Sequence, residues 1–384
     1  MKTLNKLGLL GVFATACVFN PMKTQALQTT LPEPDANGVV TLTDDVKLAS
    51  TLVLGENSNI KTIDLAGHTL SRGVKYGYLI NSSTDLTIKN GSVVCEKEES
   101  VIDGTVQENK SSSCIRNNKS LTVEGVKLDA YWTALKAEEG TVMTVKNSTV
   151  TSESGTAGAI MNYGNTRVDN STIKGSAVPN GASILTMSIL YGGKAYDANV
   201  TINNSTLDAY WPVILGKYDA ASEDSSEKHT NNVSFEGENV IISDNFVRRD
   251  TKRDDVALEV NGKITATKEA LDYLAEGATL VLNKNITEET IVLTGKKLVI
   301  ANGVEVTEGM LKMEEGAFIE NKSGKDLSVI VLGDEEKTVV VKNDEVFDGK
   351  VEEPSKPTDP VDPEEPTDPE KPEDPKDPEK PEDP

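Results

Sequence analysis

Histidine and cysteine are scarce in this 384-residue chain: two of the first and three of the second. His68 falls inside a recurring structural motif and His229 in a polar loop, so neither supports histidine-centred acid–base chemistry. No Cys/His spacing suits zinc, and no phosphate-cradling glycine loop or nucleophile elbow occurs. A basic stripe is also missing. The net charge is −23 at pH 7, which argues against nucleic acid as a partner. The one basic cluster, Arg248, Arg249, Lys252 and Arg253, is interleaved with Asp250, Asp254 and Asp255 and reads as a solvated loop. Only residues 7–19 form a long apolar run, and that run falls short of the roughly 20 residues a membrane span needs.

That run has the form of a secretion signal. Lys2 and Lys6 precede it, Asn20-Pro21 breaks it, and Thr24-Gln25-Ala26 offers small residues for cleavage after Ala26. Lipid attachment at Cys17 is the rival reading. In an exported chain Cys95 and Cys114 could form a disulfide at the base of a loop, or stay as two buried thiols. At the other end, residues 354–384 carry proline at every third position with Asp, Glu, Lys and Thr between. Such a tail buries no core and is expected to be disordered, with a polyproline II bias. At about 3.1 Å per residue it would reach about 95 Å. It resembles the wall-spanning segments of Gram-positive surface proteins; peptidoglycan attachment is expected if a sorting motif follows.

Between the two ends one pattern recurs: apolar, x, apolar, x, Asn/Gly, x, x, apolar. The column residues are Gly67, Asn90, Gly125, Asn147, Asn170, Asn204 and Gly237, spaced 22 to 35 residues apart. Asn and Gly tolerate a left-handed backbone best. A strand, a left-handed corner and another strand at this period predict one coil of a parallel β-solenoid. Leu65, Ile88, Val123, Val145, Val168, Ile202 and Phe235 should then stack before the column. Leu70, Val93, Leu128, Val150, Ile173, Leu207 and Val240 should stack after it. Asn-x-Ser/Thr sequons at Asn147, Asn170 and Asn204 are read as corner chemistry. Insertions at residues 96–119, 176–198 and 217–232 would rim a binding surface if they leave from one side. From residue 263 the pattern changes: a short helix capped by Thr267 and stopped at Gly277, placed to cover a strand edge, then a smaller β module. The expected organisation is a signal peptide (1–26), an all-β parallel β-helix (27–262), a helix with a second β module (263–350) and an acidic Pro-rich spacer (351–384).

Leu-Asp-Ala-Tyr-Trp occurs twice, at residues 128–132 and 207–211, and contains both tryptophans. Tyr131, Trp132, Tyr210 and Trp211, with Asp129 and Asp208, are candidates to bind an extended glycan about 14 Å along the stack; packing at the corners is the alternative. The pattern over residues 38–262 resembles the right-handed parallel β-helix superfamily that contains pectate lyases. That resemblance implies, as a second reading, a polysaccharide lyase or glycoside hydrolase, with calcium as a cofactor for the lyase. Asp129 and Asp208 are each isolated in sequence. Arg116 is assigned to an inserted loop and Arg167 precedes a strand column, neither with an acidic cluster nearby in sequence, so no catalytic residues or metal ligands are assigned. The preferred reading is a secreted, cell-surface adhesin of a Gram-positive bacterium, non-catalytic, with no cofactor. Its partner would be an extracellular glycan or a host matrix glycoprotein. A passive structural protein is the third.

Overall fold

The structure is a computed structural model that describes residues 31–72, 77–95, 99–102, 105–108, 112–191, 193–219, 229–249 and 256–351. The expected signal peptide, Cys17, parts of the three expected insertions, residues 250–255 and nearly all of the Pro-rich tail lie outside the described residues. The chain is all-β apart from one short 3₁₀ helix, Lys268–Tyr273, and its sheets are largely parallel. A 20-stranded sheet is accompanied by nine-, four- and two-stranded sheets.

Pairing in the long sheet follows the repeat. Ser120–Ala130 pairs in parallel with Asp85–Cys95 on one side, and with Val142–Lys146 and Thr149–Ser152 on the other. One buried row runs Ile63, Ile88, Val123, Val145, Val168, Ile202, Phe235 and Val260. A second runs Leu70, Val93, Leu128, Val150, Ile173, Leu207 and Ile241. A third, in the nine-stranded sheet, runs Ile80, Ile115, Leu135, Ile160, Ile184 and Val213. Each such side chain contributes about 1.5–3 kcal/mol when fully buried.

Two row members differ from expectation. Leu65 is buried but out of register, because the first corner, residues 65–68, is two residues wider than the next and Ile63 takes the row position. Val240 is 39% exposed and Ile241 occupies the row, because the last corner holds one extra residue. Arg116 is not on a loop: it lies in the strand Ser112–Asn117.

All seven column residues have positive φ, from +48° at Asn170 and Asn204 to +89° at Gly67. The serines that follow Asn147, Asn170 and Asn204 hold three successive corners together. The Ser148 hydroxyl accepts from the Val126 amide, Ser171 from Ser148, and Ser205 from Ser171, each at 3.1 Å, and Asn239 Oδ1 accepts from the Ser205 amide at 3.0 Å. The same three hydroxyls donate to the carbonyls of Lys146, Asp169 and Asn203 at 2.7–2.8 Å. Backbone groups that the corner takes out of the ladder are thereby paired.

The long sheet passes through residue 263 without interruption: Lys263–Ala266 pairs in parallel with Thr279–Leu282, then Lys297–Ile300, then Phe318–Asn321. By packing, the described strands from Val39–Thr41 to Val346–Phe347 belong to one unit. The expected helix is a six-residue 3₁₀ segment, and the Thr267 side chain makes no capping hydrogen bond. Its Tyr273 lies 5.6 Å from Phe246 and beneath Arg249, against the last strand of the nine-stranded sheet. At the C-terminal end of the stack, edges are covered by antiparallel strands, Lys337–Val341 on Leu327–Leu332 and Val346–Phe347 on Phe318–Asn321.

Candidate ligand-binding corner

Both Leu-Asp-Ala-Tyr-Trp segments lie where the chain leaves the long sheet for the nine-stranded one. The first begins within the end of Ser120–Ala130 and precedes Leu135–Ala137; the second joins Thr206–Asp208 to Trp211–Asp219. The register places Asp129, Thr151, Lys174 and Asp208 in one row, so the two aspartates are three strand spacings apart, about 14 Å. Each is paired with a lysine: Asp129 with Lys127 at 2.7 Å, Asp208 with Lys174 at 3.0 Å.

The aromatic residues are not equivalent. Leu135 and Val213 share a row, with Trp132 three residues before its member and Trp211 two before. The two copies therefore match in the long sheet and slip by one residue in turning the corner. The Trp132 indole N–H is buried with no hydrogen-bond partner among the described residues, and its carbonyl accepts from the Ser152 hydroxyl. Trp211 donates its indole N–H to the Pro179 carbonyl at 3.0 Å and meets Tyr210 edge-on at 5.5 Å. Tyr131 is half-buried, its amide bound to the Cys95 carbonyl at 3.1 Å.

An open groove of about 340 Å³ lies at the first copy, lined by Val94, Cys95, Asp129, Tyr131, Thr151 and Glu153 among others. It offers two carboxylates, a phenol and a hydroxyl beside an apolar wall. Asp129 and Tyr131 share this groove; neither tryptophan lines it, and Tyr210, Trp211 and Asp208 sit farther along the corner. Cys95 forms part of its wall. Cys95 and Cys114 are buried free thiols, not a disulfide. Cys114 donates to the Asp129 carbonyl at 3.5 Å, and burial, with Cys95 beside it, pushes its thiol pKa well up.

The insertions do not leave from one side. The described strand before residue 96, Asp85–Cys95, is in the long sheet and the one after residue 111, Ser112–Asn117, in the nine-stranded sheet, whereas residues 220–228 fall in sequence between Trp211–Asp219 of the nine-stranded sheet and Asn231–Glu236 of the long sheet. The middle insertion contributes to both sides: 176–181 at the groove corner, and the turn between Ala182–Tyr191 and Lys194–Tyr196 at the other.

A second cluster has no signature in sequence. On the nine-stranded sheet, Arg116 Nε and Lys136 Nζ meet one oxygen of the nearly buried Glu138, at 2.5 and 2.7 Å. Arg116 also lies over the Tyr78 ring at 5.9 Å, and Lys136 over Tyr163 at 5.1 Å. Burial, then the Glu138 charge, pushes the Tyr163 phenol up to about 12. Lys136 and Glu138 are two residues apart, but Tyr78, Arg116 and Tyr163 come from separated segments and join them only through strand register. Arg167, by contrast, is committed to Asp169 at 2.9 Å and Glu236 at 3.3 Å. His68 faces Asp45 at 3.7 Å and His229 is fully buried, well apart in the stack. Among the described residues no three His, Cys, Asp or Glu side chains are grouped to hold a metal ion, and no helix is long and apolar enough to cross a membrane.

Comparison with protein-family models, with curated proteins and with solved structures finds no match.

Proposed function

We propose that this chain is a parallel β-helix of a secreted bacterial surface protein, displayed on its Pro-rich acidic spacer, and that the corner between its two main sheets binds an extended glycan without cleaving it. The observation that carries this reading is the groove of Asp129, Tyr131, Thr151 and Glu153, continued along one row to Asp208 and the Tyr210–Trp211 pair. Sugar recognition combines planar polar groups with an aromatic face, and both are present here on a rigid parallel stack. The lysine facing each aspartate suits hydrogen bonding to hydroxyls better than paired-carboxylate chemistry. The apolar leader and the tail, read from sequence, support export and display.

The test is a glycan and mucin array probed with the purified chain. Binding is expected, and Tyr131→Ala and Trp211→Ala should each weaken it by about tenfold, the loss of a well-placed aromatic contact. An array without a binder, or wild-type binding by both variants, would sink the reading.

A further inference from the structure

The geometry points to a second binding site, on the outer face of the nine-stranded sheet, in which Arg116 and Lys136, flanked by Tyr78 and Tyr163, take a carboxylate-bearing oligosaccharide. It stands independently of the corner, sharing no residue with it.

Most ion pairs on the long sheet match one cation to one or two acids, as in Lys89–Asp64, Lys146–Glu124 and Arg167 with Asp169 and Glu236. On the second sheet the ratio reverses. Two cations share a single oxygen of Glu138, whose side chain is only 11% exposed. Arg116 and Lys136 are partners in adjacent strands. Arg116 directs Nε to Glu138 and makes no other ion pair among the described residues. A guanidinium has five N–H donors and an ammonium three, so the cluster is rich in donors and poor in acceptors. The Arg116 side chain is 40% exposed, which leaves its terminal nitrogens a route to solvent. A planar carboxylate matches that fork in a way that a hydroxyl does not.

The surroundings favour a sugar over a free ion. The Tyr78 ring lies 5.9 Å from the Arg116 guanidinium and the Tyr163 ring 5.1 Å from the Lys136 ammonium, so an aromatic face stands beside each cation. Asn81 and Asn118, joined at 2.8 Å, extend the polar surface next to Arg116. Glu138 holds the two cations in place, and Glu139 adds negative field at the Tyr163 end. The ligand is therefore oriented, with its carboxylate at the Tyr78–Arg116 end.

The experiment is calorimetric titration of the full chain with hyaluronan hexasaccharide, alongside the same hexasaccharide with its carboxyl groups reduced to alcohols. The acidic form should bind at least tenfold tighter than the reduced form, and its affinity should fall as sodium chloride is raised. Arg116→Gln should lose about tenfold, Arg116→Lys less, and Tyr78→Ala several-fold with no change of charge. Tyr131→Ala and Trp211→Ala should leave this binding as it is, which separates the site from the corner. No binding, equal binding of the two hexasaccharides, or wild-type affinity in both Arg116→Gln and Tyr78→Ala overturns the proposal.

Discussion

Gly237 and Asn147 occupy the same column, yet they differ in what they would tolerate. Both are left-handed, at φ +63° and +50°. A Cβ on Gly237 would collide with the Asn204 side-chain oxygen, whereas Asn147 already carries a side chain in an exposed position. Gly237→Ala should therefore cost about 1–3 kcal/mol, backbone strain plus the collision, while Asn147→Gly should change stability by only a few tenths. Urea melts of the two variants check this; equal losses would show that the corner, not the neighbour, sets the requirement. The serine relay gives a sharper contrast. Ser171→Ala strips the Ser148 amide of its acceptor and the Asp169 carbonyl of a donor, an expected loss of about 1–3 kcal/mol, while Ser171→Thr retains the hydroxyl. The left-handed column was readable because only two residue types suit it. Which glycine is crowded was not, since the crowding atom comes from a residue 33 positions earlier. Tyr163 adds a pH test. Its folded pKa, about 12, stands above the usual phenol value of roughly 10. Its contribution to stability is thus present below pH ~10 and lost as pH rises toward 12, because the unfolded chain ionises first. Tyr163→Phe should flatten the alkaline fall in stability over that window.

At the scale of elements, the strands were legible and their ends were not. Alternating apolar residues mark Ile88, Val123 and Leu128 as inward-facing, and they are buried. Corner length carries no such periodic signal, so Leu65 and Val240 were placed in rows that Ile63 and Ile241 occupy. The same blindness made the two Leu-Asp-Ala-Tyr-Trp copies look equivalent, although they slip by one residue on entering the second sheet. The segment after Thr267 shows composition read as more helix than packing allows. Six residues of 3₁₀ helix fit the space before Thr279–Leu282 re-enters the long sheet, and the Thr267 hydroxyl is buried without a hydrogen-bond partner among the described residues. Thr267→Val should then be neutral or stabilising by melting temperature; a loss near 1 kcal/mol, the usual worth of an N-cap, would restore a capping role.

For the molecule as a whole, parallel register makes each strand depend chiefly on the strands before and after it, so stability should be close to a sum of neighbour terms. The repeat period was visible in the sequence; the side from which each insertion leaves was not, because that depends on which sheet the chain has just quit. The shared register permits a test on both fold and site. Deleting residues 148–170 joins Asn147 to Ser171, column residue to the serine that follows a column residue, and removes one full period with every row kept in phase. Thr151 and Glu153 leave the groove, and Asp129 comes to pair beside Lys174, so the two aspartates move from three strand spacings to two, about 10 Å. The shortened chain should keep its β-sheet circular-dichroism signal and a single cooperative melt. Deleting residues 148–158 alone, about half a period, would bring inward residues to the wrong face and should abolish that melt. If the corner reads ligand length along the row, the 148–170 deletion should also shift array binding toward shorter glycans, while the Arg116 site, whose strands Gly77–Ser82, Ser112–Asn117 and Leu135–Ala137 are untouched, should lose only the contact from Tyr163.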